Sequence, residues 1–425
     1  MNSKPHHFLT NIPVTNPKNF IGREDQLKII RDGMALVKQG SPFHVFITGK
    51  ARIGKTSLKN QIVNIAQGDT QLFEKHFNDT SDYSFIACGH TIQKNDTLED
   101  ILEYTTLSLI KNNYLNRLKY YLSSIINKIT LKASIISVEM KQDRRSRYFQ
   151  INFINLIRKF WKSNSLDSNF SGFIFWFDEV DRLSHDADLA SFIKALTEIL
   201  TENDIYNYFI ILTGIKDNQN NIVEKMKKQH QSFPDLFDEI YLPPFTINEA
   251  RDIIVPNLER LNIQIEEDAI NCIFNCSLGL PGRIHNIASK SLKSLSKEES
   301  LITVKHVLEA KKQMICMTNF SSFAANWESS SYFQQSTLLF LSLKGQSEFL
   351  DISEFLNIYS DIEIDTKVIY EEIDELKGNN IIKINSNETY EIIDSLFSDW
   401  IKHYHHDMTL TFDDSTTTYS LLDRY

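Results

Sequence analysis

Two short stretches of the chain hold residue types at spacings that can do chemistry. The first, "GKARIGKTSL" (residues 49–58), sets Gly49, Gly54, Lys55 and Thr56 at the spacing of a loop that grips phosphate. Such a loop needs inward-pointing backbone N–H groups, which glycine permits, with a helix N-terminus behind them. It also needs a lysine that reaches the outer phosphate oxygens and a hydroxyl that holds Mg2+, here Lys55 and Thr56. The second stretch, "GFIFWFDEVDRL" (172–183), is an apolar run that ends in Asp178 and Glu179. On a strand aimed at the phosphates, Asp178 would hold Mg2+ directly or through water, and Glu179 would orient or deprotonate an attacking water. Two acids after an apolar run are otherwise a solvated strand end, so the phosphate loop is what gives them a task. Lys55 and Asp178 stand 123 positions apart, and the fold must bring them together.

The elements expected around these stretches supply that fold. "FHVFIT" (43–48) is a short run of apolar, β-branched and aromatic residues that predicts a buried strand ahead of the loop, with a helix over 54–66 behind it. "YSFIAC" (83–88), "GFIFWF" (172–177), "YFIILT" (208–213) and "DEIYLP" (238–243) read as further strands, separated by segments of helical period. Alternating strands and helices predict a parallel sheet covered on both faces, an α/β domain over residues 20–245 behind an N-terminal arm, 1–19. After Pro243-Pro244 the strand signals stop, and amphipathic segments predict a helical domain over 246–316. A polar link (317–330) leads to a module at 331–405, where three short helices and a hairpin follow in winged-helix order, an order that a generic α+β cap shares. An acidic tail, 406–425, closes the chain.

At these residues the chain resembles the AAA+ ATPases and the related STAND signal-transduction ATPases. "NFIGREDQL" (19–27) looks like the box ahead of the first helix, and the resemblance implies that Phe20 and Ile21 flank an adenine. "GKARIGKTSL" is similar to the STAND form of the loop, with Arg52 where that group often carries a basic residue, and Ile53 and Ser57 join its nucleotide-binding residues. "FIILTG" ends at Thr213, the sensor-one position, whose polar side chain would contact the terminal phosphate or the attacking water. "GLPGRIHNIA" resembles the Gly-x-Pro motif merged with the sensor-two arginine; there Pro281 would touch the base and Arg283 would reach the γ-phosphate from a helical lid. The resemblance covers residues 19–290 and implies a P-loop NTPase sheet with a helical lid, ATP and Mg2+ as cofactors, and catalysis by Lys55, Glu179, Thr213 and Arg283. One departure stands out. No arginine lies between Arg182 and Arg251, where oligomeric AAA+ enzymes carry the one they lend to a neighbour. Lys225, Lys227 and Lys228 could substitute as point charges, without the planar fork. The gap suits a slow switch better than a fast ring-shaped motor.

Charge is unevenly spread. The whole chain carries −10, residues 331–425 carry −12, and residues 111–162 carry +10. The basic segment, with tyrosines in "KNNYLNRLKYYL" and Arg144, Arg145 and Arg147 after it, is either a phosphate-binding surface for DNA or an ordinary solvated face. The would-be recognition helix at 365–377 has five acids and two lysines, so the C-terminal module is expected to bind protein, or to dock on the basic segment, instead of DNA. No apolar run approaches the ~20 residues of a membrane span. Four cysteines make no disulfide framework and favour a reducing, cytoplasmic setting. Cys272 and Cys276, one turn apart, and the late histidines His403, His405 and His406 lack the ligand pattern of a metal site. Two functions remain open: an ATP-driven STAND-like switch that changes conformation, self-associates or recruits a partner, in the manner of bacterial signalling or defence proteins, and an AAA+ DNA-transaction ATPase of the initiator or transposition-regulator type. A scaffold that no longer hydrolyses ATP is the minor reading.

Overall fold

The computed structural model describes residues 8–10, 12–111, 142–164, 169–183, 189–216, 221–229, 231–317, 321–360, 364–405, 408–413 and 418–423. Most of the basic segment, residues 112–141, lies outside them. The chain divides into two compact units, Ile12–Pro243 and Pro244–Tyr425 with Met1–Asn11.

The first unit is built on five parallel strands: β1 (Phe43–Gly49), β2 (Phe85–Thr91), β3 (Gly172–Asp178), β4 (Tyr208–Ile215) and β5 (Asp238–Tyr241). Their spatial order is β2-β3-β4-β1-β5. The strands read as near-continuous apolar runs because both faces are covered, as a parallel sheet requires. Along β3, Phe173, Phe175 and Phe177 point to one side, where Phe153 from the helix Gln142–Asn164 and Phe192 from the helix Leu189–Glu202 close over them. Helices α1 (Glu24–Lys38) and α2 (Lys55–Ala66) flank the sheet at β1, and α2 also touches β3 and β4.

The strand order decides the geometry of the site. β4 lies between β1, which ends in the phosphate loop, and β3, which ends in Asp178. In register, Ile47 of β1 faces Thr213 of β4, and Phe177 of β3 faces Leu212. Thr213 is therefore interposed between the loop and the carboxylate.

The second unit opens with four helices, Ile247–Glu259, Glu267–Ser277, Pro281–Lys293 and Val304–Met317. The first starts at a capping box in which Thr246 and Glu249 satisfy each other's backbone N–H. The stretch expected to be a polar link forms a helix, Ser321–Glu328. Phe323 and Trp327 stand one turn apart on it, both buried, with Phe323 5.2 Å from Phe397 and Trp327 stacked 4.2 Å from His405. Burial of two aromatic side chains outweighs the weak helix preference of the serines and asparagine around them.

A winged helix follows, with helices Tyr332–Lys344, Phe349–Ser360 and Thr366–Gly378 and a three-stranded sheet of Gln346–Ser347, Tyr390–Ile392 and Ile382–Ile384 in that spatial order. On its third helix, Glu372 and Glu375 accept from Ser331 and Gln334 of the first helix, while Glu371 and Asp374 are exposed. The final acidic stretch holds a β-hairpin, Met408–Asp413 paired with Thr418–Asp423. In the sequence its two arms carry β-branched and apolar residues on either side of the polar string "DSTT", a hairpin pattern that the acidic count overshadowed.

Candidate nucleotide site

The site lies where β1, β3 and β4 end. The chain leaves β1 at Gly49, turns through Arg52 (φ 64°) and Gly54 (φ 104°), and enters α2 at Lys55. Gly54 is needed for its backbone conformation, since a Cβ there would meet nothing within 4 Å. Lys55 Nζ donates to the carbonyls of Gly49 (3.0 Å) and Lys50 (2.9 Å), so the lysine folds back over its own loop. Ile53 and Phe20 are buried, and Ile21 is half-buried. Ser57 Oγ accepts from the backbone N–H of Val14 at 3.0 Å, and Gln61 and Asn64 of α2 donate to the carbonyls of Val14 and Thr15. The incoming segment is thus strapped along α2.

Asp178 is fully buried and joins three elements. Its Oδ1 accepts from Thr56 Oγ1 at 3.2 Å and, through a very short bond, from Thr213 Oγ1. Thr213 in turn accepts from the backbone N–H of Glu179 at 3.0 Å. Thr213 is itself completely buried and bridges the two acidic residues. Glu179 has a left-handed backbone, φ 60°, unusual for a residue with a side chain, and its carboxylate meets Arg182 Nη1 at 2.9 Å. Burial pushes the Glu179 carboxyl above its ordinary value, and the Arg182 charge opposes the rise. Asp181 Oδ1 accepts from Ile215 N at 2.9 Å, which fastens the turn after β3 to the end of β4.

Phosphate-bound Mg2+ asks for one or two protein oxygens, with phosphates and water completing its shell. Thr56 and Asp178 supply such a pair, and Asp178 Oδ2 is buried without a hydrogen bond among the described residues. The donor set fits the ion. Among the described residues no group of three or more His, Cys, Asp or Glu is placed to hold a metal by itself.

Two residues given no role by the sequence reading also make contacts at the site. Arg23, buried and in the left-handed region at φ 67°, donates from Nη1 to Pro243 O (2.6 Å) and from Nη2 to Ile53 O (3.1 Å). Lys59, one turn beyond Lys55 on α2, places Nζ 3.6 Å from Asp178 Oδ2 and 4.0 Å above the Trp176 ring. Its pKa is lowered by burial and raised in part by the Asp178 charge. Of the three lysines that could replace the missing arginine, Lys225 donates to Leu183 O at 2.8 Å, and Lys227 and Lys228 are exposed.

Pro281 and Arg283 belong to the second unit. Pro281 begins the helix Pro281–Lys293, where its fixed φ suits the first turn. Arg283 is buried; its Nη1 lies 2.6 Å from Asp394 Oδ2, and its guanidinium sits 5.5 Å from the Phe323 ring centre. Asp394 also caps the helix Ser395–Tyr404 through Leu396 N and Phe397 N.

The sheet order β2-β3-β4-β1-β5 and the pairing of the loop with a carboxylate at the end of β3 make the fold that of a P-loop NTPase. No protein-family model matches the chain, and no curated protein matches it. Solved structures do match. The chain is similar to a Walker-type ATPase of Pyrococcus abyssi, at 16% identity and TM-score 0.51 over 93% of this chain and 99% of that one. It is also similar to the ORC2 protein of Aeropyrum pernix, described in ADPNP–ADP complexes, at 11% identity and TM-score 0.57 over 93% and 97%. At such identities the likeness is one of fold, a P-loop ATPase sheet followed by helical and winged-helix modules.

Among the described residues, no helix is long and apolar enough to cross a membrane.

Proposed function

We propose that this protein binds and slowly hydrolyses ATP and uses the nucleotide state as a switch, changing conformation or self-association and thereby recruiting a partner. The observation that carries this reading is the single connected network Thr56–Asp178–Thr213–Glu179, which lies beside the Lys55 loop. In it, Gly49, Arg52, Ile53, Gly54 and Ser57 shape the loop, Phe20 and Ile21 flank the base, and Lys55 draws charge off the transferring phosphate. Thr56 and Asp178 hold Mg2+, which neutralises phosphate charge when bound. Glu179 takes the proton of the attacking water, and Thr213 fixes the backbone from which it does so. Pro281 and Arg283, which the sequence resemblance assigns to the base and the γ-phosphate, lie in the second unit, where Arg283 is ion-paired with Asp394.

Two features support a switch over a fast motor. The stretch between Arg182 and Arg251 contains no arginine to lend to a neighbour, and Glu179 is held by Arg182 in the same chain. The acidic C-terminal module, with Glu371 and Asp374 exposed on its third helix, is the surface for a protein partner. A DNA-transaction role is the second reading, favoured by the +10 balance of residues 111–162. Mass photometry of Glu179→Gln with Mg2+ and ATP, with and without DNA, tests both. The variant should bind ATP, lose about a hundredfold or more of its turnover, and shift to larger assemblies. Normal turnover in Glu179→Gln refutes the assignment of the base. Salt-sensitive DNA binding selects the second reading, and none at low salt the first.

A further inference from the structure

Helix α2 carries a second lysine that the mechanism above does not use. Lys59 is 6% exposed. Lysines are almost never buried this far without a charged partner, and its partner is Asp178, 3.6 Å away. The contact falls on Oδ2, the oxygen that accepts no hydrogen bond among the described residues, while Thr56 and Thr213 occupy Oδ1. Each side of the carboxylate therefore has its own type of neighbour, hydroxyls on one and an ammonium on the other.

The ammonium has a second contact, the face of Trp176 at 4.0 Å. The indole is there because β2 makes room for it. Gly89 pairs with Trp176 across the sheet, and a Cβ at Gly89 would lie 1.8 Å from Trp176 O and 2.5 Å from its ring carbon Cδ2. Any larger residue at position 89 would collide with the Trp176 carbonyl as well as its indole and would displace both. Three residues from three elements thus make one cation position beside the metal-binding carboxylate.

Lys59 and Mg2+ cannot both draw fully on one buried carboxylate, because two cations repel strongly where water is scarce. We propose that Lys59 is an exchange cation for the metal: it balances Asp178 when Mg2+ is away, and it is retained on the Trp176 face when Mg2+ arrives with the nucleotide. This rests on the nucleotide reading above and adds to it a residue that sets how strongly nucleotide binding depends on the metal. With Lys59 present, the site stays assembled without Mg2+, and the metal adds comparatively little affinity. Without Lys59, Mg2+ becomes the sole counter-charge of Asp178 and should matter more.

The test is calorimetric titration of ADP into the full chain, in Mg2+ and in chelator, which gives the ratio of the two dissociation constants. Lys59→Met should raise that ratio by roughly tenfold, while Lys59→Arg, which keeps the charge, should leave it near the unaltered value. A lysine that merely packs against the sheet would weaken both titrations alike, so an unchanged or smaller ratio in Lys59→Met overturns the exchange. Should Lys59→Met not fold, Trp176 emission, isolated by difference from Trp176→Phe, decides. Adding Mg2+ to the ADP-saturated chain should change that emission as the Lys59 ammonium, released from Asp178, comes to rest on the ring alone, and a flat signal overturns the exchange. Loss of ADP binding in Lys55→Ala checks the nucleotide reading separately. If the unaltered chain binds no ADP, that reading and the exchange fall together. If it binds ADP through Lys55 and the Lys59→Met ratio does not move, only the exchange falls.

Discussion

Replacing Thr213 by valine removes one hydroxyl from the centre of the site and leaves the side-chain shape nearly intact. That hydroxyl donates to the ionisable Asp178 carboxyl and accepts from Glu179 N, and it is wholly buried. A hydrogen bond to a charged group contributes about 1.5–3 kcal/mol and a neutral one about 1, so the loss should come to about 3 kcal/mol. For a domain of this size each kcal/mol moves the unfolding midpoint by about 2–4 °C, which puts the Ile12–Pro243 transition about 6–12 °C lower. Thermal unfolding followed by calorimetry reads this directly. Thr213→Ser, which keeps both partners, should retain most of the stability. Thr213→Val should also slow hydrolysis, because Glu179 would lose the anchor of its left-handed backbone. A Thr213→Val transition within about 1 °C of the unaltered chain would refute the claim that this hydroxyl organises the site.

Two further predictions concern the second unit. Asp394→Ala removes the cap of the helix Ser395–Tyr404 and strands the buried Arg283, so denaturant unfolding should show a loss of about 3–5 kcal/mol. Asp394→Asn keeps a capping oxygen and loses only the charge, so it should lose less, and an Asp394→Asn variant as stable as the unaltered chain would count against the ion pair. His285 is buried, and desolvation lowers its pKa from 6.5 to about 4. The unfolded chain takes that proton near pH 6.5 and the folded chain does not. The His285 contribution is therefore full above 6.5 and is lost as pH drops from 6.5 to about 4, by ~3 kcal/mol for this residue, beside a like contribution from buried His44. His285→Leu should flatten this part of the pH profile in denaturant titrations at pH 7 and pH 4.5, and an unchanged slope would show that another group governs it.

The strands of the first unit were legible because a parallel sheet covered on both faces writes itself as apolar runs, and "FHVFIT", "GFIFWF" and "YFIILT" each became a strand. That the loop and Asp178 would meet was legible because the spacing of Lys55 and Thr56 and the strand ending in an acid are read together, and Thr56 does reach Asp178. Lys59 was not. A lysine in an amphipathic helix looks like a solvated residue, and only the approach of a carboxylate from a strand more than a hundred positions later makes it otherwise. Arg23 stood inside a quoted stretch, but its carbonyl partners at Ile53 and Pro243 belong to distant parts of the chain. The helix Ser321–Glu328 was missed for a different reason. Its Phe323 and Trp327 have helical spacing, yet the polar residues around them dominated the local reading. Thr213 was expected to face the nucleotide, and its bonds to Asp178 and Glu179 depend on β4 lying between β1 and β3, an order that a linear sequence does not display.

The Arg23 guanidinium has a mechanical consequence. One nitrogen holds the phosphate loop at Ile53, and another holds Pro243, the last residue before the chain passes into the second unit. A guanidinium is a rigid plate, so its two ends cannot move independently. If the loop shifts at Ile53, either the bond at Pro243 breaks or the exit of the chain is dragged along. Arg23 is thus a rocker arm, with the phosphate loop at one end and the backbone of Pro243 at the other.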